Sequence, residues 1–207
     1  MYSKIRDFLN CQGIKYLAPA KAGEDAERMV GYRELGQEAR QEFTHLASQF
    51  QKLFPHLKQD RTSQWMNQAQ RLRPHFWAYL QADGSVAEPM LALRLYGNTN
   101  NFGISLEVSF IERKKDEGTL SKQAKVLDVP VVEGIYYWVQ KNDESYRVQA
   151  TEDNRQLLRQ QLSSREIRKV LVKADVPVTN EESLDKILNG LDRSFEKLIP
   201  YYQATRS

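Results

Sequence analysis

The stretch Phe102-Gly103-Ile104-Ser105-Leu106-Glu107-Val108-Ser109-Phe110-Ile111 decides the fold class. Large apolar side chains stand at Phe102, Ile104, Leu106, Val108 and Phe110, with small or polar ones between them. Successive side chains of a strand point to opposite faces, so this alternation is that of a strand with one apolar face. Glu107 lies on the other face and is expected at the surface, or buried only if both faces are covered. Upstream, residues 75–81 and 90–96 are short, apolar and aromatic, which reads as two more strands. Asp83-Gly84 falls in the connection between them, and Gly97 to Asn101 is a turn cluster. Three successive strands without a long helix between them argue for an α+β fold with a mainly antiparallel sheet.

Outward from this centre, residues 135–140 and 145–149 read as a hairpin across Lys141 to Glu144, extending the sheet region to about 75–149. The N-terminal side is helical. Residues 2–10 form a short helix on Ile5, Phe8 and Leu9, followed by a glycine- and proline-broken loop to residue 31. From Tyr32, Leu35, Ala39, Phe43, Leu46, Phe50, Leu53 and Leu57 recur at helical spacing, with Pro55 expected to end or kink the helix. A further helix is expected near 60–72 on Trp65, Ala69 and Leu72, making 32–73 helical. C-terminal to the sheet, a short helix begins near Thr119. Thr151 starts another that runs to about Leu162, residues 167–173 favour a strand, and Thr179 with Glu182 forms a capping box. The last helix carries Leu184, Leu188, Leu191, Phe195 and Leu198 and is expected to stop at Pro200. The 207 residues are read as a single domain with helices flanking the sheet at both ends.

The composition, 41% hydrophobic and 28% charged, is that of a folded chain rather than a disordered one. The single cysteine, Cys11, excludes an intramolecular disulfide and any cysteine-based zinc site. One thiol, no apolar leader at the start and no apolar run longer than Ile135–Val139 imply a soluble, cytoplasmic protein with no membrane partner. Neither a nucleophile elbow nor a phosphate-cradling or dinucleotide-binding glycine motif occurs. His45, His56 and His75 lack the spacing of a helical metal-binding pair and read as surface or half-buried residues. No resident cofactor is expected.

A net charge of +3 is too mild to name a partner, but its distribution is uneven. Residues 40–75 carry Arg40, Lys52, Lys58, Arg61, Arg71 and Arg73 against only Glu42 and Asp60. This basic window runs into aromatics, placing Arg61, Gln68, Arg71, Arg73, Trp77 and Tyr79 within one short segment. Arginines neutralise phosphates, amides read base edges and aromatic rings stack on unpaired bases. The leading expectation is therefore a non-catalytic binding module with nucleic acid as its partner.

Two alternatives stand beside it. Glu112-Arg113-Lys114, where the 102–111 strand ends, resembles half of the PD-(D/E)xK nuclease signature. That resemblance implies Mg²⁺ held by two carboxylates, with Lys114 orienting or activating the attacking water beside Glu112. Asp83 or Glu88 would supply the second carboxylate. The chain departs from the pattern in having no Pro-Asp dipeptide, only the reversed Glu88-Pro89. The third reading is a protein-interaction or small-ligand domain, with a protein partner or a second copy of the chain. It rests on Tyr136-Tyr137-Trp138, where alternation forces Tyr137 and its two neighbours onto opposite faces. If one sheet face is open, one side of this triplet is an aromatic platform.

Overall fold

The alternating stretch forms β4 (Asn101–Ser109), paired antiparallel with β3 (Met90–Asn98) through a tight turn. The turn depends on Gly97, whose φ is +93° and whose missing Cβ would collide with the Asn101 carbonyl and the Phe102 Cα. The computed structural model describes residues 2–82, 88–110, 117–179 and 183–206. Asp83, Glu112, Lys114 and the Glu182 half of the capping box lie outside the described residues.

Among the described residues the sheet has seven strands, all antiparallel, in the order β1-β2-β3-β4-β7-β5-β6. The remaining strands are β1 (Lys58–Gln59), β2 (Trp77–Gln81), β5 (Tyr136–Lys141), β6 (Glu144–Gln149) and β7 (Lys169–Val178). The last strand in sequence, β7, inserts between β4 and β5 and joins the central meander to the hairpin. The helices are α1 (Ser3–Leu9), α2 (Ala26–Leu53), α3 (Glu117–Ala124), α4 (Glu152–Ser163) and α5 (Leu184–Arg206). The architecture is therefore an α+β domain with N- and C-terminal helices flanking one antiparallel sheet.

The period of two assigns every strand residue a face. Leu91, Leu93 and Leu95 of β3, Ile104, Leu106 and Val108 of β4, Val172 and Ala174 of β7, and Tyr137 and Val139 of β5 are all buried in the main core. Helical side chains meet them from one side: Phe43 tilts against Phe76, Phe8 stacks on Phe76, and Leu191 and Leu198 come from α5. Among the described residues, the helices pack on this one face of the sheet.

Three features differ from the sequence reading. Residues 60–72 are not helical and follow β1 as an irregular segment, so 32–73 is helical only as far as Leu53. Tertiary capture explains this. Arg40 of α2 donates to the carbonyls of Thr62 and Ser63, and Trp65 packs against Tyr16 edge-to-face. Trp65 also presses on Gly36, where an added Cβ would meet its ring at 2.9 Å. A short Met66–Leu72 bridge, with Gln70 at φ +56°, then reverses the chain. Second, α2 begins at Ala26 rather than Tyr32, with Met29 already buried.

Third, Pro200 sits inside α5, which continues to Arg206. The last turn is held from outside the helix: Tyr201 is buried, its hydroxyl donates to the Pro130 carbonyl and accepts from the Val132 N–H. That cross-link offsets the hydrogen bond a proline removes. The N-cap of α4 follows the sequence reading, with Thr151 Oγ1 accepting from the Asn154 N–H.

Candidate functional site on the open sheet face

The register aligns the opposite face in rows across the strands. One row runs Trp77, Arg94, Ser105 and Asp175. The next runs Tyr79, Ala92, Glu107, Lys173, Tyr136 and Gln149. Beyond it lie Trp138 with Leu171 and Arg147, then Gln140 with Lys169 and Ser145. Ala92, Gly103 and Ser105 keep the middle of this face shallow, so long neighbours from β3 and β7 fold over them.

At the centre stands an ionic triad. Glu107 is 0% exposed, which corrects its expected position at the surface. Its Oε1 accepts from Arg94 Nη2 at 2.8 Å and its Oε2 from Lys173 Nζ at 2.7 Å. A buried carboxylate is tolerated only when paired in this way. Burial alone would push its protonation up, but the Lys173 and Arg94 charges outweigh it and hold the carboxyl down at about 2. Glu107 therefore stays ionised and fixes two cations in place. Burial works against the Arg94 charge too, and the Glu107 carboxylate beside it more than reverses that, raising its affinity for the proton. The side chain of Lys173 is 6% exposed and that of Arg94 28%, so Arg94 is the member of the pair that reaches solvent.

An indole flanks the triad on each side. Trp77 lies under the guanidinium of Arg73 at 4.5 Å and near that of Arg94 at 5.5 Å. Trp138 lies 4.8 Å from Lys173 Nζ. Both rings are half-buried. Four strand intervals separate β2 from β5, which is about 19 Å at the usual spacing. At the β5 end, the Tyr136 hydroxyl donates to Asp175 at 2.8 Å, and Arg147 pairs with the same carboxylate at 2.9 Å. Arg147 also lies 3.7 Å over the Tyr136 ring. Burial raises the Tyr136 and Tyr79 hydroxyls, so both remain protonated. A cavity of about 330 Å³ opens beside the triad, lined by Arg94, Glu107, Trp138, Gln140, Ser145, Lys169, Leu171 and Lys173.

Of the six residues singled out for nucleic acid, Arg73, Trp77 and Tyr79 converge here around Arg94. Arg61, Gln68 and Arg71 lie instead on the irregular segment, exposed, with Arg71 donating to the Gly13 carbonyl at 2.9 Å. They are not on the sheet. Of the carboxylates considered for Mg²⁺, Glu88 pairs with Lys122 at 3.1 Å, and Asp83 and Glu112 lie outside the described residues, as does Lys114. Among the described residues, no three His, Cys, Asp or Glu side chains gather where they could hold a metal ion.

His45 and His56 are exposed and His75 is half-buried. His75 precedes β2, and burial, then the charges of Arg94 and Lys173, hold its imidazole toward the neutral form. Sequence reasoning missed Arg94, Lys173 and Arg147, whose convergence depends on β7 entering the sheet beside β4. Trp138 and Tyr136 were visible in the hairpin triplet, and Tyr137 is the member that enters the core. No helix among the described residues is long and apolar enough to cross a membrane.

No protein-family model, curated protein or solved structure matches this chain.

Proposed function

We propose that this chain is a non-catalytic binding protein whose open sheet face takes single-stranded nucleic acid. The observation that carries the reading is the pairing of two half-buried indoles, Trp77 and Trp138, with cations on the same face. Unpaired bases stack on aromatic rings and on arginine guanidinium planes, while the backbone follows positive charge. Arg73, Arg94, Lys173 and Arg147 supply that charge, opposed by Glu107 and Asp175. A strand lying across β2 to β5 would span several nucleotides over roughly 19 Å.

The triad favours binding over chemistry. Both Glu107 oxygens are engaged and the carboxyl titrates at about 2, so it is a poor proton acceptor near neutrality. Its role in this reading is to hold Arg94 and Lys173 rigid before a ligand arrives, which lowers the ordering cost of binding.

Fluorescence anisotropy of a labelled single strand and of the matching duplex, each at about 50 and about 200 mM salt, tests the reading. Three phosphate contacts give a salt slope near −2, so single-strand affinity falls roughly tenfold to twentyfold over that range. Duplex binds more weakly because its bases are not free to stack. Equal binding of both forms, or no single-strand binding at the lower salt, would overturn the proposal.

A further inference from the structure

The two edges of the sheet differ. β1, at one end, is two residues long. β6, at the other, has six residues, none of them proline or lysine, and its ladder with β5 runs unbroken from Tyr136↔Gln149 to Lys141↔Glu144. All of them are exposed except Val148, which is half-buried. Shortness, lysine, proline and bulges are what keep a free edge from pairing. β6 lacks the last three and is of ordinary strand length.

The turn sets the hydrogen-bonding phase of this edge. Asn142 and Asp143 have φ of 49° and 65°, as in the two-residue turn that closes on a hydrogen-bonded pair, here Lys141 and Glu144. The next pair, Gln140 and Ser145, points its backbone groups away from each other. Gln140 accordingly accepts from the Arg168 N–H at 2.8 Å, and Ser145 faces outward together with Arg147 and Gln149. The Gln149 carbonyl is taken by the Asn154 side-chain amide at 2.8 Å. The backbone N–H and C=O of Ser145 and Arg147 have no partner among the described residues. The Arg147 side chain does not guard them. Its guanidinium is drawn inward, over the Tyr136 ring and onto Asp175.

We propose that this chain forms a reversible homodimer by pairing β6 antiparallel with β6 of a second copy. The strand is self-compatible: with one glutamate and one arginine it brings no net charge to the contact. A symmetric pair of this kind meets itself about a two-fold axis perpendicular to the sheet. An axis through Arg147 sets like charges directly opposite, which destabilises. An axis through Ser145 runs the second strand into the turn at Asp143. The axis therefore passes through Tyr146. Ser145 of one copy then bonds Arg147 of the other, and the two Tyr146 rings, each 40% exposed, cover one another. Both candidate faces lie on the same side of one continuous sheet, although the contact does not depend on what that face binds. So short a contact buries less than the roughly 800 Å² per partner of a standard interface, so the dimer is weak.

Sedimentation velocity of the full chain from about 5 to about 500 µM tests the association, because contacts of this size are weak and transient. The sedimentation coefficient rises toward that of a dimer across the range. Tyr146→Lys sets two ammonium groups opposite each other and moves the rise about tenfold higher in concentration. Cysteine cross-linking under mild oxidant reads the register. Across the axis the Cα atoms stand about 4.5 Å apart, within disulfide range, so Tyr146→Cys forms a covalent dimer. Ser145→Cys, with its Cα atoms about 7–8 Å apart, cross-links at least about tenfold more slowly. The native thiol, Cys11, is buried and leaves the wild type uncross-linked. A monomer at every concentration would overturn the proposal. So would association indifferent to Tyr146→Lys, or cross-linking through Ser145→Cys as fast as through Tyr146→Cys.

Discussion

Replacing Glu107 by glutamine removes the one negative charge between Arg94 and Lys173 while keeping the side chain's shape. The cost follows from the site. A carboxyl whose ordinary value is 4.5 and which titrates at about 2 in the folded chain contributes about 3 kcal/mol at neutral pH. The carboxylate is fully buried and Lys173 nearly so, so solvent screens little of this. Glu107→Gln also leaves two cations facing each other, and removing one partner of a buried pair costs about 3–5 kcal/mol. For a chain of this length that is a fall in melting temperature of roughly 6–20 °C.

Urea denaturation followed by circular dichroism, at several pH values, measures it. The sign is fixed by the lowered pKa: the contribution is complete above about 4.5 and disappears as pH falls toward about 2. Wild type and Glu107→Gln therefore differ by a constant amount near neutrality and converge in acid. The double variant Glu107→Gln/Lys173→Met regains at least half of the loss, because the second substitution removes the stranded cation. A neutral-pH loss below about 1 kcal/mol would refute the account of the triad, since exposed pairs have that value. A difference independent of acid would refute it equally.

Other outcomes follow from single contacts. Gly103→Ala drives a Cβ into the Val176 carbonyl and the Tyr96 ring, and thermal melts will show a loss of about 3 kcal/mol or more. Tyr201→Phe removes the hydroxyl that joins Pro130 and Val132 to α5, and chemical denaturation will register about 1–3 kcal/mol. The Cys11 thiol is buried, and burial and then Asp7 raise its pKa. It should resist alkylation in the native chain and react once denaturant is added, as mass spectrometry will report. Arg147→Ala removes an ion pair whose arginine is 59% exposed, so stability changes by less than about 1 kcal/mol. Single-strand affinity, read by anisotropy, falls nonetheless.

What the sequence made legible is what local periodicity controls. The alternation at Phe102 to Phe110 is one buried face of β4, and the Tyr136-Tyr137-Trp138 triplet divides between faces as a strand must. Glu107 shows where local reading ends. Its place on the face opposite the core follows from alternation, but its burial is supplied by Arg94 from β3 and Lys173 from β7. The register that brings them together is a property of strand order, which no single segment encodes. The 60–72 segment illustrates the same limit from the other side. Its apolar spacing suits a helix, yet Arg40 and Gly36 of α2 take up its carbonyls and Trp65 in an irregular path. The residues of the candidate site divide likewise: Arg73, Trp77 and Tyr79 are near neighbours in sequence, whereas Arg147 and Trp138 join them only across the sheet.

The most direct test of the sheet face as the binding surface compares two sets of variants in one anisotropy titration with a single-stranded oligonucleotide. The first is Trp77→Ala and Trp138→Ala; the second is Arg61→Ala and Arg71→Ala on the irregular segment. Each indole that stacks on a base contributes about 1–3 kcal/mol, so the sheet variants lose roughly fivefold to 150-fold in affinity while the segment variants lose less. Full affinity in both tryptophan variants, with the loss falling on Arg61 and Arg71, would contradict the account.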